Sequence, residues 1–156
     1  MSLGKETFYE YLAAFGFGKK TGIDFSGEAY GLLLAESVVR DCDLARIGFG
    51  QTIAVSGIQL ACAAASAVNG GYYYTPHLVK RIYAEDGYVL QTAQTEVKNR
   101  TISEEASKIL TEMLEGVVRE GSGKKAYIEG YRVGGKTGVF GLTCVIIAMK
   151  KLYIMA

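Results

Sequence analysis

The segment that most constrains the fold runs from residue 56 to residue 71. Ser56 and Gln59 have the spacing of a capping box, in which each side chain satisfies the other residue's backbone N–H at a helix start. Small and apolar residues follow up to Val68, and Asn69-Gly70-Gly71 then ends the pattern. A helix with so few large side chains lets its neighbours approach closely, so we predict a helix over residues 57–68 that is packed on all sides.

Other segments alternate between helical and extended patterns. Residues 6–15 predict a short helix, and Ser103 is expected to cap a second one. The apolar stripe predicted for that second helix is Ile109, Leu110, Met113, Leu114, Val117 and Val118. Residues 19–31 are predicted to form a loop, because glycines interrupt them repeatedly. Extended segments are predicted at residues 72–74, 77–83, 88–90, 131–138 and 142–149, with Asp86-Gly87 as a hairpin turn.

Composition bounds the class of protein. The chain has 156 residues, of which 49% are hydrophobic, enough for a single domain over residues 1–156 with its own core. Its formal net charge is +1, which gives no reason to expect nucleic acid or an anionic membrane surface as partner. No apolar run reaches the ~18 residues of a membrane span, and no targeting segment is expected.

Metal and cofactor chemistry has little support. Cys42, Cys62 and Cys144 lack the spacing of metal ligands and are predicted to be buried free thiols. His77 follows Pro76 without nearby cysteine or acidic partners, so a structural surface role is expected. We therefore predict no metal and no cofactor.

The strongest local candidate for a site is Gly-Gly-Lys-Thr-Gly at residues 134–138. Lys136 offers a cation and Thr137 a hydroxyl, which together suit an anionic group, and the glycines allow close approach to the backbone. A solvated glycine-rich bend is the alternative. Residues 130–137 also match the phosphate loop of nucleotide-binding proteins, but that loop should open a helix, and Gly138 and Gly141 follow instead.

A serine nucleophile could be encoded by Ser-x-x-Lys, with the lysine one helical turn after the serine. Two matches exist, starting at Ser2 and Ser122. The first lies at the chain terminus, and the second follows a predicted helix end with glycine where a new helix should begin. Both are interpreted as chance matches, and the sequence contains no Ser-x-Asn. No catalytic residue is predicted in this chain.

Several stretches in order resemble the transpeptidase domain of class B penicillin-binding proteins, the group used in cell division, elongation and sporulation. The matching stretches are residues 3–18, Thr21-Gly22-Ile23-Asp24-Phe25-Ser26-Gly27-Glu28, residues 47–51 and 55–60, Asn69-Gly70-Gly71, Thr75-Pro76-His77, residues 113–118, Gly121-Ser122-Gly123-Lys124 and residues 131–138. The resemblance covers roughly residues 3–138. It implies an α+β fold with helices packed on an antiparallel sheet, as part of the serine β-lactamase-like domain.

The resemblance also implies a site. Lys136, Thr137 and Gly138 fall on the family's active-site strand, where they would bind the terminal carboxylate of a peptidoglycan stem peptide or of a β-lactam. The amide of Val139 falls where the family supplies an oxyanion-hole donor. The parent activity would be D,D-transpeptidation at the extracytoplasmic face of the plasma membrane, whereas the nucleophilic serine, its lysine and the Ser-x-Asn motif would lie upstream.

Two departures bear on this expectation. Val139 replaces a second threonine of the family's Lys-Thr-Gly-Thr, so a hydroxyl is lost although the amide remains. The tail at residues 139–156 resembles nothing in the family. We expect the chain alone to be inactive, and we expect residues 142–149 to pair antiparallel with the strand around Lys136. The alternative is a non-catalytic structural or regulatory remnant that forms a homo-oligomer through its exposed sheet edge.

Overall fold

The computed structural model describes residues 3–137, 144–148 and 153–155. The chain divides into two compact units: unit 1 holds residues 1–62 and 73–99, and unit 2 holds residues 63–72 and 100–156. The helices and strands are α1 Lys5–Ala14, α2 Asp41–Gly48, α3 Gly57–Val68, β1 Tyr72–Tyr74, β2 Arg81–Tyr83, β3 Val89–Thr92, β4 Val97–Arg100, α4 Glu104–Arg119, β5 Val133–Thr137, β6 Cys144–Ala148 and β7 Tyr153–Met155. Short 3-10 turns lie at Glu36–Val38 and Lys124–Ala126.

Helix α3 begins and ends where the sequence predicts. The Ser56 amide donates to Gln59 Oε1 at 2.8 Å, and the Gln59 amide donates to Ser56 Oγ at 3.2 Å, which completes the capping box. Ala63 and Ser66 are buried, and Ser66 Oγ donates to the Ala63 carbonyl at 2.8 Å. The small side chains of α3 therefore allow close packing on one face, whereas the rest of the helix is half-buried or exposed, which corrects the predicted packing on all sides.

In unit 1, a buried glutamine holds the predicted loop at residues 19–31. Gln59 is fully buried, and its Nε2 donates to the carbonyls of Lys19 at 2.7 Å and Tyr30 at 3.0 Å. Because these two carbonyls stand near opposite ends of the loop, one side chain on α3 fixes both ends.

Glu28 and Asp24 hold the interior of the same loop. The Glu28 carboxylate accepts from Thr21 Oγ1 at 2.6 Å and from the amides of Thr21 and Gly22. Asp24 accepts from the amides of Leu78 at 2.7 Å and Val79 at 2.9 Å. Backbone groups that no strand pairs are thus satisfied by carboxylates.

Strands β2 and β3 form the antiparallel hairpin predicted around Asp86-Gly87, with Arg81 opposite Thr92. Gly87 adopts a positive φ of 85°, and Asp86 Oδ1 accepts from the Tyr88 amide at 3.0 Å. Strand β2 begins at Arg81 and not at His77. The physical reason is that the amides of residues 78 and 79 bond the Asp24 carboxylate instead of a neighbouring strand.

In unit 2, α4 begins after Ser103, whose Oγ accepts from the Ala106 amide at 3.1 Å, as predicted. Ser107 and Val118 are buried, and α4 packs against β5. The predicted apolar stripe is only partly covered: Ile109 and Met113 are 50% and 63% exposed. The predicted helix is therefore confirmed, and the structure adds that part of its apolar stripe is exposed.

Strand order in the unit 2 sheet is β5-β6-β7, with both pairs antiparallel. The predicted pairing of the tail with the strand around Lys136 is confirmed over residues 144–148; residues 142, 143 and 149 lie outside the described residues. A separate two-stranded sheet joins β1 and β4. Helices with antiparallel strands confirm the predicted α+β class.

Three of the described helices and strands were not predicted: α2, β4 and β7. Helix α2 begins after Arg40, whose Nε lies 2.9 Å from Asp43 Oδ2, and strand β4 holds few apolar residues. Cys42 lies in α2 and is exposed, which corrects its predicted burial; Cys62 is half-buried. Of the helices in the described part of the chain, none combines the length and the apolar character needed to cross a membrane.

Candidate functional site

The candidate site lies on β5. Val133, Gly134 and Gly135 are buried, whereas Lys136 is exposed. With glycine at two consecutive buried positions, neither face of the strand carries a side chain there, so the backbone can pack closely against its neighbours. The exposed lysine thus follows three buried residues on the same strand.

An ion pair fixes the start of the strand. Arg132 Nε lies 2.7 Å from Glu115 Oε1 on α4, without the alignment of a hydrogen bond. The Glu115 side chain is 19% exposed, so the pair is less screened by water than a fully exposed one. Sequence analysis missed this contact. The available signal was a lone arginine at the strand start and a glutamate on the predicted helix.

Strand β6 covers one edge of β5. Lys136 stands opposite Val145, and Thr137 stands opposite Cys144. Lys136 and Thr137 are therefore consecutive strand residues, as predicted. Gly138 and Val139 lie outside the described residues, so their predicted roles stay predictions.

The phosphate-loop interpretation of residues 130–137 is not supported by this backbone. Lys136 lies inside a β-strand, and the five residues from Val133 to Thr137 are all extended. A phosphate loop would place its lysine at the start of a helix, where successive amides surround the anion. The geometry instead presents the lysine at the surface of a sheet.

The Ser122 match to Ser-x-x-Lys lies in the turn after α4. Ser122 is exposed, and the following 3-10 turn at Lys124–Ala126 is only three residues long. The helix that would align a serine with a lysine one turn later is not formed at this point. Of the other match, Ser2 lies outside the described residues, and Lys5 is the first residue of α1.

Other titratable candidates do not form a second centre. Cys62 is half-buried beside Tyr73, and burial raises the pKa of the Cys62 thiol. Burial, with the neighbouring Cys62, raises the pKa of Tyr73 to about 12, so both groups are neutral at pH 7. His77 is exposed, as predicted. In residues 3–137 and the described tail strands, no three histidine, cysteine or acidic side chains are grouped as metal ligands.

Comparison with known proteins agrees with this geometry. A family model described as the penicillin-binding protein transpeptidase domain matches residues 1–141. The chain therefore belongs to the penicillin-binding protein transpeptidase family, and its relatives place it in class B. The predicted resemblance is confirmed.

Two curated relatives show the extent of the similarity. Stage V sporulation protein D of Bacillus subtilis is 45% identical over 139 residues, which cover 87% of this chain and 21% of that protein. PbpB of Mycolicibacterium smegmatis is 32% identical over 143 residues, covering 87% of this chain and 22% of that protein. The chain thus spans about a fifth of the length of the curated relatives it matches.

Solved structures show the same fold. Penicillin-binding protein 3 of Mycobacterium tuberculosis, complexed with ampicillin, has a TM-score of 0.81 and 27% identity, covering 87% of this chain and 31% of that one. Penicillin-binding protein 2B of Streptococcus pneumoniae has a TM-score of 0.75 and 26% identity, covering 95% of this chain and 27% of that one.

Proposed function

We propose that this chain supplies the carboxylate-binding strand of a peptidoglycan D,D-transpeptidase. The observation that carries the proposal is the position of Lys136, an exposed residue on strand β5, in a chain of the penicillin-binding protein transpeptidase family. Lys136 and Thr137 would bind the terminal carboxylate of a stem peptide or a β-lactam, with Gly138 providing close approach. The Val139 amide would donate to the oxyanion of the acylation intermediate.

In the complete enzyme, a serine hydroxyl attacks the carbonyl of the penultimate D-alanine and releases the terminal D-alanine. The resulting acyl-enzyme then transfers the acyl group to an amine. The present chain would bind and orient the substrate, and the serine would come from the upstream part. A parent protein acting at the extracytoplasmic face of the plasma membrane fits this chemistry.

The proposal implies that the chain alone forms no acyl-enzyme, because covalent acylation needs an activated nucleophile. Incubation with a fluorescent penicillin, followed by intact-mass measurement, should show no added mass. A mass increase equal to one penicillin that disappears in Ser122→Ala would contradict this and would identify the turn after α4 as a nucleophile site.

Reversible binding tests the strand itself. One exposed lysine–carboxylate pair contributes only ~0–1 kcal/mol, so affinity for a D-Ala-D-Ala peptide should be weak. NMR titration should shift the resonances of β5, and Lys136→Ala should abolish those shifts. Lys125→Ala, another exposed lysine in unit 2, is the matched control and should leave them unchanged. Equal loss of the NMR shifts in both variants would show that the shifts depend on the net charge of the chain and not on Lys136.

The order β5-β6-β7 favours a second role, self-association. Within the described residues, the outer edges of β5 and β7 have no strand beside them in this sheet, and open edges invite pairing with another chain. A homo-oligomer built across such an edge is the proposed alternative. Sedimentation over a range of concentrations should reveal dimers, whereas a monomer at every concentration would rule this role out.

A further inference from the structure

Strand β5 has few side chains that could set its position on α4. Within the described residues it is the strand through which the unit 2 sheet packs against this helix, and Val133, Gly134 and Gly135 are buried. Glycine has no side chain that could interlock with a neighbouring element, so only Val133 can do this in the buried part of the strand. Packing of a bare backbone resists sliding along the helix only weakly.

The pairing of β5 with β6 does not supply the missing constraint. Its register runs from Val133 opposite Ala148 to Thr137 opposite Cys144, which fixes the two strands relative to each other. A hydrogen-bonded ladder moves as one body, and β7 is joined to the same ladder through β6. The place of this sheet along α4 is therefore set by contacts between α4 and the region of β5.

Glu115 and Arg132 make such a contact. Glu115 lies on α4 and its Oε1 is buried, whereas Arg132 directly precedes β5 and its Nε lies 2.7 Å from that oxygen. Within the described residues the buried oxygen has no hydrogen-bond partner, so the guanidinium compensates its charge. A buried charge that loses its partner is costly, and the ion pair therefore strongly favours one placement of the strand start.

A displacement at Arg132 would reach the candidate site directly. An extended chain rises ~3.3 Å per residue, so Lys136 lies ~13 Å further along the same continuous stretch. A shift of the strand start therefore moves Lys136 and Thr137 by a similar amount. Misplacement of substrate-binding groups by ~1 Å can cost ~100-fold in rate, so a small shift has a large consequence.

We propose that Glu115 is a positioning residue for the carboxylate-binding strand. Through Arg132 it sets where β5 lies along α4, and thereby where the Lys136 ammonium and the Thr137 hydroxyl meet a carboxylate. The inference rests on the proposed function, since that function gives the place of Lys136 its consequence for binding. Glu115 itself touches no substrate and takes no part in acyl transfer.

Two variants separate the position of the strand from its stability. Glu115→Asp keeps the negative charge and shortens the side chain by one methylene group, whereas Glu115→Gln keeps the length and removes the charge. The matched control is Glu120, whose Oε1 lies 2.8 Å from Arg119 Nε in a pair with side chains 72% and 66% exposed. Glu120→Asp and Glu120→Gln make the same two changes at an exposed ion pair.

Hydrogen exchange in the absence of ligand reports the placement of the strand. Glu115→Gln should speed exchange of the β5 amides at least about tenfold, while the amides of α4 change less than about twofold. Glu120→Gln should leave β5 exchange within about twofold of the unmodified chain. An equal rise throughout unit 2 would indicate a general loss of stability and would overturn the proposal, as would unchanged exchange at β5.

Peptide binding reports the consequence for the site. In an NMR titration with a D-Ala-D-Ala peptide, Glu115→Asp should raise the dissociation constant at least about threefold, although its circular dichroism matches that of the unmodified chain. Glu120→Asp should stay within about 1.5-fold. Unchanged binding in Glu115→Asp would overturn the proposal, because aspartate replaces equally well a glutamate that only neutralises Arg132.

Failure of the inference and failure of the proposed function give different results. If the unmodified chain shows no peptide-induced shifts at β5, the proposed function is contradicted, and hydrogen exchange decides whether Glu115 places the strand. If Lys136→Ala abolishes the shifts but Glu115→Asp leaves binding unchanged, the function stands and the inference fails. If circular dichroism shows that Glu115→Gln does not fold, Glu115→Asp, which retains the charge, decides the question.

Discussion

The tripeptide Lys-Thr-Gly occurs twice in this chain, and the two copies have different structural contexts. The copy at Lys20 to Gly22 lies in the loop of unit 1, where Thr21 is 1% exposed and its hydroxyl donates to Glu28. The second copy begins at Lys136 in unit 2, and its first two residues, Lys136 and Thr137, are the last two residues of strand β5. In the first copy the groups that could bind a ligand are already used by the protein itself.

The two lysines also have different surroundings. Lys20 Nζ lies 5.0 Å from the centre of the Tyr30 ring, a cation–π contact within the loop, whereas Lys136 stands on a strand whose preceding residues are buried glycines. The tripeptide sequence therefore does not by itself determine the structure in which it lies. What the structure adds is the backbone context: the first copy lies in a loop, and Lys136 and Thr137 lie on strand β5.

The largest loss of stability is expected at Gly31, where the loop at residues 19–31 closely approaches the backbone of Ala54. A Cβ at Gly31, whose φ is +75°, would lie 2.5 Å from the Ala54 carbonyl oxygen and 3.1 Å from Gln59 Oε1. We expect Gly31→Ala to lower the free energy of unfolding by about 3 kcal/mol or more. Gly27→Ala, at φ +85° with open space around it, is the control and should cost about 1 kcal/mol. Urea denaturation of both variants measures this, and equal losses would show that the close approach is unimportant.

The next effect concerns Gln59. Replacement by leucine keeps the side-chain size but leaves the Lys19 and Tyr30 carbonyls without their donor, so we expect a loss of about 2–3 kcal/mol. Gln91→Leu, at an exposed site in β3, should stay within about 0.5 kcal/mol. If Gln59→Leu and Gln91→Leu lower the free energy of unfolding equally, α3 does not hold the loop at residues 19–31.

A smaller and pH-dependent effect is expected at Glu28. Burial raises the pKa of this carboxyl, but hydrogen bonds from Thr21 and Gly22 and the charge of Lys20 outweigh it, so the net pKa is lowered. A lowered folded pKa contributes stability above the unfolded pKa, and that stability is lost as pH falls through the folded pKa. Glu28→Gln should therefore cost about 1–2 kcal/mol at pH 7 and progressively less below about pH 4. A constant difference across that range would contradict the carboxylate's role.

The smallest effect is expected at Lys20. Its removal loses one cation–π contact, so Lys20→Ala should cost at most about 1 kcal/mol. Unlike Lys136→Ala, it should leave the NMR shifts produced by a D-Ala-D-Ala peptide unchanged. Loss of those shifts in the Lys20 variant would mean that the loop copy, not the strand copy, binds the carboxylate.

Elements with strong local signals were predictable. Helix α3 was found through its capping box and terminal glycines, and β6 through an apolar run too long to be left exposed. Helix α2 was missed because only Leu44 and Ile47 are large and apolar in it, and because Arg40, not a serine or threonine, caps it. Strand β4 was missed for a similar reason: Val97 is its only apolar residue.

Burial was harder to predict than periodicity. The stripe of α4 showed that a helix forms, but its pattern is the same whether a partner covers Ile109 and Met113 or water does. The hydrogen bonds of Asp24 could not be predicted from the sequence either, because they are accepted from amides 54 and 55 residues further along the chain. The tripeptide itself cannot separate Lys136 from Lys20, because it is identical in both copies; only the order of the surrounding motifs places Lys136 on the family's active-site strand.

The bond from Asp24 to two consecutive amides provides a built-in spectroscopic reporter. Donation from the Leu78 and Val79 amides is the main cause of the lowered pKa of Asp24. The amide proton resonances of those two residues should consequently shift together in acid, when the carboxyl takes up a proton. The amide signals of Leu78 and Val79 would then show whether the loop at residues 19–31 is still hydrogen-bonded to the segment before β2. They need no attached label, and the chain has no tryptophan whose fluorescence could report the same event.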